Sequence, residues 1–167
     1  MVSLRHELAR MLGFSSHAAF QLSSKMAESP GAVDGFLRSV LERVVAKTKA
    51  LAPGTGPGQV GAVIDAASKA KIMGYINGAV NDDGAKVLVD GRSWADASTA
   101  PPGSAIAAGG ADAKGNWVGP TVLLHASHAD RAVKEEIFGP VLSVVRVGSW
   151  QEALEIENAS PFGNAAW

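Results

Sequence analysis

Gly139-Pro140, inside the stretch "KEEIFGPV" at residues 134–141, limits the fold of this chain more than any other feature. Proline fixes φ and has no amide to donate, and it pushes the residue before it out of the helical region. The helix-prone Lys134-Glu135-Glu136 cluster must therefore stop at the dipeptide, and "GPVLSVVRV" (139–147) reads as a strand launched by it. The same punctuation recurs at Gly119-Pro120 within "WVGPTVLL" (117–124), a second strand. "AKVLVDG" (85–91), after the turn "NDDG" (81–84), reads as a third. Between them Asp65 can cap a helix over about 66–80, and "WQEALEIEN" (150–158) is amphipathic, followed by the turn "SPFGN" (160–164). Strand and helix alternate across residues 60–160, which points to an α/β layer.

The first 50 residues have a different character. Leu4, Leu8, Met11 and Leu12 share one helical face, and Gly13 ends that helix. Ser15 or Ser16 can cap the next, with Phe14 placed to staple it. Ser29-Pro30 supplies an N-cap followed by proline at the first helical position, ahead of a stripe of Val33, Phe36, Leu37, Val40, Leu41 and Val44. Three helices are expected here. "LAPGTGPGQVG" (51–61) has loop composition, and residues 93–116, rich in Ala, Gly, Ser and Pro, read as a long mobile surface loop or insertion.

Composition removes several classes of function. The 167 residues are 47% hydrophobic and 19% charged with a formal net charge of −1, which describes a soluble globular chain and not a disordered one. It lacks the basic excess of a nucleic-acid binder. No apolar run approaches the roughly 18 residues that cross a membrane. Residues 1–25 begin basic, but Glu7 and scattered polar residues interrupt any signal-peptide core; a helical, Arg-containing start can mimic a mitochondrial transit peptide. The compartment stays open between cytoplasm and mitochondrion. The chain has no cysteine, so no disulfide, thiolate metal site or cysteine nucleophile can form within it.

Four motifs look chemical. "HELAR" (6–10) is one residue from His-Glu-x-x-His, but Arg10 holds the second ligand position and a guanidinium cannot coordinate zinc; it reads as a solvated helix face. "GPGQVG" (56–61) matches Gly-x-Gly-x-x-Gly, yet Pro53, Gly54 and Thr55 precede it where a dinucleotide fingerprint needs a strand, so it reads as a loop. His125 and His128 have suitable spacing for a metal but no accompanying carboxylate, short of a ligand set. No metal site is expected. Glu152, Glu155 and Glu157 read as the wet face of the last helix. The fourth is "KEEIFGPV": Ile137 and Phe138 are expected to bury, and Glu136 to be held at a rigid junction near a strand end, where α/β proteins bind ligands. A carboxylate there can accept two hydrogen bonds from a vicinal diol such as ribose.

The stretches "GNWVGPTVLLHAS" (115–127), "KEEIFGPVLSVVRV" (134–147), "EALEIENASPFGN" (152–164) and, more weakly, 56–92 resemble the aldehyde dehydrogenase superfamily in order and spacing, most of all its methylmalonate-semialdehyde, CoA-acylating branch. The resemblance implies part of an α/β catalytic-domain layer over residues 49–167, NAD as cofactor, and an aldehyde and CoA as substrates. It implies that Glu136 holds the nicotinamide ribose hydroxyls and that Phe138 packs near the nicotinamide. It makes residues 56–61 a connecting loop. The family's cysteine nucleophile, its oxyanion-hole asparagine and the units that bind adenosine belong upstream of the matched region, and the family continues beyond "PFGNAAW". Residues 3–44 resemble instead a helical scaffold segment of the M3 metallopeptidases, the oligoendopeptidase and mitochondrial intermediate peptidase group.

The expectation is thus a helical segment at 1–48 joined to a partial aldehyde dehydrogenase layer at 49–167, with the seam near 45–52 and no catalytic residue of its own. It is expected not to oxidise aldehydes alone, and to bind NAD weakly or not at all. The alternatives are a non-catalytic interaction module that self-associates through uncovered strand edges, and a metallopeptidase-like fusion fragment.

Overall fold

The computed structural model describes residues 2–23, 29–104, 106–109 and 114–162. The chain divides into two compact units, residues 1–46 and 47–167.

The first unit is helical, and its caps are those the sequence calls for. Helix α1 (Val2–Met11) ends before Gly13, which takes φ +86°, a left-handed conformation that glycine adopts without steric cost. Ser16 caps α2 (His17–Leu22): the amide of Ala19 donates to its Oγ at 3.1 Å, and the rings of Phe14 and Phe20 lie 5.3 Å apart. Helix α3 (Pro30–Lys49) opens with the amide of Ala32 donating to Ser29 Oγ at 3.2 Å. The apolar stripes do not form a core. Leu4, Leu8, Met11, Leu12, Phe36 and Leu37 are exposed, and no residue of α3 is buried. Periodicity and caps decide that a helix forms, but burial needs a facing surface.

In the second unit, α4 (Ala66–Asn81) is capped by Asp65, whose Oδ1 accepts from the amide of Ser68 at 2.7 Å. That bond holds the Asp65 carboxyl below its ordinary pKa. Ile72, Tyr75, Ile76 and Ala79 share one face of α4 and are buried. They pack on a three-stranded sheet ordered β1 (Lys86–Val89), β2 (Thr121–His125), β3 (Val141–Val145), with β1 antiparallel and β3 parallel to β2. The β2–β3 register runs unbroken from Thr121↔Val141 to His125↔Val145, whereas β1 slips between Val87 and Val89. Val118, Leu123, Ala132 and Ile137 complete the core against α4. Burying each large aliphatic side chain contributes roughly 1.5–3 kcal/mol. Helix α5 (Arg131–Lys134) lies on the crossover from β2 to β3, and α6 (Trp150–Asn158) follows β3.

Three expectations are corrected. The strands are shorter than their apolar runs and begin at Thr121 and Val141, immediately after each Gly-Pro. The helix before Gly139 stops at Lys134; Glu135 is already extended. Within residues 93–116, the described part is no mere surface loop: Trp94, Ala100 and Ile106 bury with Trp117 in a second core cluster, and a 3₁₀ turn spans Arg92–Ala95. Its Ala-Gly-Ser composition conceals two large apolar anchors, Trp94 and Ile106. Close backbone approach explains a glycine pair there. A Cβ on Gly91 would stand 1.9 Å from the carbonyl oxygen of Gly119, while the amide of Gly119 donates to Gly91 O at 2.9 Å. The turn expected at 160–164 lies partly outside the described residues; the amide of Phe162 donates to Ser160 Oγ at 3.2 Å.

Candidate ligand platform at Glu136 and Phe138

Residues 135–139 connect α5 to β3 and are anchored to α4 at several points. Ile137 is buried in the main core, as expected. Gly139 sits so close to the fully buried Ile72 that a Cβ there would meet its Cδ1 at 2.6 Å. Upstream, the carboxylate of Glu135 accepts from the hydroxyl of Tyr75 and from Arg131 Nε at 3.1 Å. The Arg131 guanidinium lies 4.5 Å from the centre of the Tyr75 ring. Lys71 Nζ donates to the carbonyl oxygen of Glu136 at 3.2 Å. The Tyr75 hydroxyl first, and Arg131 second, hold the Glu135 carboxyl below its ordinary pKa; the same bond to Glu135 raises that of Tyr75.

Between these anchors stand the two residues singled out from the sequence. Glu136 is exposed, and among the described residues nothing donates to its carboxylate. Phe138 was expected to bury and does not: it is 81% exposed. Its φ of +54° is the one left-handed value at a non-glycine residue among the described residues. An aromatic side chain rarely adopts that conformation, which costs roughly 1–2 kcal/mol. With Ile137 buried and Gly139 seated on Ile72, Phe138 takes up the turn of the chain between them. The junction also stands before the amino-terminal end of β3, not at a carboxyl end of the sheet, where ligands of open α/β sheets usually bind. Neither residue lines the groove of about 420 Å³ bordered by His128, Val133, Lys134, Glu155, Ile156 and Ser160.

A carboxylate with no donor among the described residues and an exposed aromatic ring, two residues apart on an anchored segment, can accept hydrogen bonds from hydroxyls and offer a flat apolar surface.

The other motifs have structural roles. In residues 56–61, the amide of Gly56 donates to Gln59 Oε1 at 2.8 Å, so Gln59 fills the loop interior where a phosphate would need room. His6, Glu7 and Arg10 are exposed on α1. His125 has a carboxylate partner after all: its Nδ1 lies 2.9 Å from Asp130 Oδ2, and both side chains are largely buried. Among the described residues no three metal-ligating side chains gather. Glu152 closes a reciprocal cap on α6: its Oε2 accepts from the amide of Gly148 at 2.7 Å, and its own amide donates to Ser149 Oγ at 3.2 Å. The sequence reading missed Tyr75, Arg131 and Lys71. Arg131 and Glu135 are a legible i, i+4 pair. The Tyr75–Glu135 bond crosses 60 positions and leaves no local signal.

Comparison with known proteins bears on the chain as a whole. The sequence model of the aldehyde dehydrogenase family matches residues 32–167, and that of peptidase family M3 matches residues 1–52. The chain is 36% identical over 160 residues to a probable methylmalonate-semialdehyde/malonate-semialdehyde dehydrogenase [acylating] of Dictyostelium discoideum, covering 93% of this chain and 28% of that protein. It is similar to the crystal structure of methylmalonate-semialdehyde dehydrogenase from Oceanimonas doudoroffii, with a TM-score of 0.61 and 31% identity over 76% of this chain and 24% of the other. The structure of the Sinorhizobium meliloti putative methylmalonate-semialdehyde dehydrogenase complexed with NAD gives a TM-score of 0.62 and 26% identity, over 77% and 24%. The chain thus spans about a quarter of the length of the relatives it matches. No described helix is long and apolar enough to cross a membrane. With a sequence match over most of its length and a shared α/β layer, the chain belongs to the aldehyde dehydrogenase family.

Proposed function

We propose that Glu136 and Phe138 are the nicotinamide-ribose platform of an NAD-linked semialdehyde dehydrogenase of the methylmalonate-semialdehyde, CoA-acylating branch. The observation that carries this reading is an exposed, left-handed Phe138 two residues from a carboxylate that has no donor among the described residues, on a segment anchored from both sides. Glu136 accepts the two ribose hydroxyls, and the Phe138 ring covers the nicotinamide. When bound, NAD supplies the hydride acceptor. Relatives named for methylmalonate semialdehyde and the NAD-bound neighbour support the branch and the cofactor.

These 167 residues by themselves do not oxidise aldehydes. They contain no cysteine, and without a thiolate the covalent route to a thioester for CoA is closed. Their NAD affinity is weak, of the order of millimolar, about −4 kcal/mol, because only one end of the dinucleotide is held. NAD titration of the purified chain followed by NMR tests this. The amides of 136–138 shift at millimolar NAD in the parent and not in Glu136→Gln. Micromolar binding, or turnover of a semialdehyde with NAD, refutes the reading. The division into a helical M3-like scaffold at 1–48 and an aldehyde dehydrogenase layer at 49–167 belongs to the same proposal, supported by the match over residues 1–52.

A second reading, an interaction module that self-associates, is favoured by one feature. The amide of Thr121 donates to Pro140 O at 2.8 Å, so in a parallel ladder the backbone groups of Ser143 and Val145 face away from β2. The β3 edge carries no charge, proline or bulge, whereas β1 has Lys86 and an irregular register. Light scattering across a wide concentration range decides it: dimers support the reading, and a persistent monomer removes it.

A further inference from the structure

The platform just proposed needs its backbone held in an unfavourable conformation, and the structure contains a device suited to that task. Tyr75 belongs to α4 and packs into the main core, while its hydroxyl donates to Glu135 beyond the end of α5. Arg131, one helical turn before Glu135, donates to the same carboxylate and stacks on the Tyr75 ring. Each of the three side chains touches the other two. The triad ties the residue immediately before Glu136 to the core helix, while Ile137 and Gly139 tie down the far side. A positive φ at an aromatic residue persists only when its surroundings over-determine it. Released on one side, Phe138 would relax to an ordinary φ and carry Glu136 with it.

We propose that Tyr75, Glu135 and Arg131 are positioning residues that hold Glu136 and Phe138 in a ligand-ready geometry, an inference that rests on the functional reading given above. None of the three touches the ligand. Their carboxylate–phenol–guanidinium contacts serve the backbone of residues 136–138.

The test uses the full chain, NAD as the probe, and three variants. Tyr75→Phe keeps the buried ring and removes the donor. Glu135→Ala removes the acceptor, and Glu135→Gln restores an oxygen in its place. Two quantities are read by NMR: the NAD dissociation constant, and the intraresidue amide–Hα cross-peak of Phe138, which is strong at positive φ. Tyr75→Phe and Glu135→Ala are expected to weaken NAD binding about fivefold, the size of one hydrogen bond, and to weaken the Phe138 cross-peak, with Glu135→Gln recovering part of both. A merely structural role would lower the melting temperature and leave both readings at the parent value once folded protein is measured. Unchanged affinity together with an unchanged cross-peak in Tyr75→Phe and Glu135→Ala overturns the proposal. If the parent does not bind NAD at all, the functional reading fails, and the cross-peak alone decides the positioning claim: loss in both variants upholds it, retention overturns it.

Discussion

Replacing Phe138 by glycine and by alanine separates backbone strain from side-chain contact. Both substitutions remove the same phenyl group, which is 81% exposed, so each forfeits the burial of about a fifth of an aromatic surface, roughly 1 kcal/mol. They differ in what they leave at φ +54°. Alanine retains the Cβ, with a left-handed cost of about 1–2 kcal/mol. Glycine escapes that cost but carries an entropic handicap of about 0.5–1 kcal/mol in the unfolded chain. The glycine variant should therefore be the more stable of the two by about 0.5–1 kcal/mol, the reverse of their usual order in regular structure. Urea unfolding followed by fluorescence of the buried Trp94 and Trp117 measures the difference within the second unit. An alanine variant as stable as the glycine variant would show that residue 138 is not left-handed in solution. A loss of about 3 kcal/mol or more in both would show that the phenyl is buried, and would refute its role as an open platform.

Further expectations follow from contacts elsewhere. Gly139→Ala forces a methyl onto the buried Ile72 and should cost about 1–3 kcal/mol in urea unfolding; Gly91→Ala, which meets the backbone of Gly119, should cost more than Gly139→Ala. Asp130→Ala leaves the buried imidazole of His125 without its carboxylate and should cost about 1–3 kcal/mol by the same measurement. Glu135 has a lowered folded-state pKa, so its stabilising contribution is complete above the ordinary glutamate value and is lost as pH falls through the lower one. Tyr75→Phe removes the largest cause of that shift, and an NMR titration of the Glu135 side chain should then move to higher pH; an unmoved titration contradicts the Tyr75–Glu135 bond. The parent protein mixed with semialdehyde, CoA and NAD should form no NADH above the blank, as absorbance would show.

Much of the secondary structure was legible because its causes are local. Asp65, Ser16 and Ser29 announce helix starts through side chains that reach amides three residues ahead, and Gly-Pro announces β2 and β3 through fixed backbone geometry. Glu136 and Phe138 could be picked out by their neighbours in the chain, but not their surroundings: burial was expected of Phe138, and the fold leaves it exposed. Residues 93–116 misled for a related reason, since small residues dominate the count while Trp94 and Ile106 decide the packing.

From the sequence alone came the elements, their order, the family likeness and the absence of any thiol. These depend on backbone preferences a few residues wide, or on residue identity itself. The tertiary structure decided which apolar faces find cover, that His125 is paired with Asp130, and that Tyr75 reaches Glu135. Long-range contacts of this kind are set by how α4 packs on the sheet, and nothing in the local spacing of those residues encodes where the two surfaces meet.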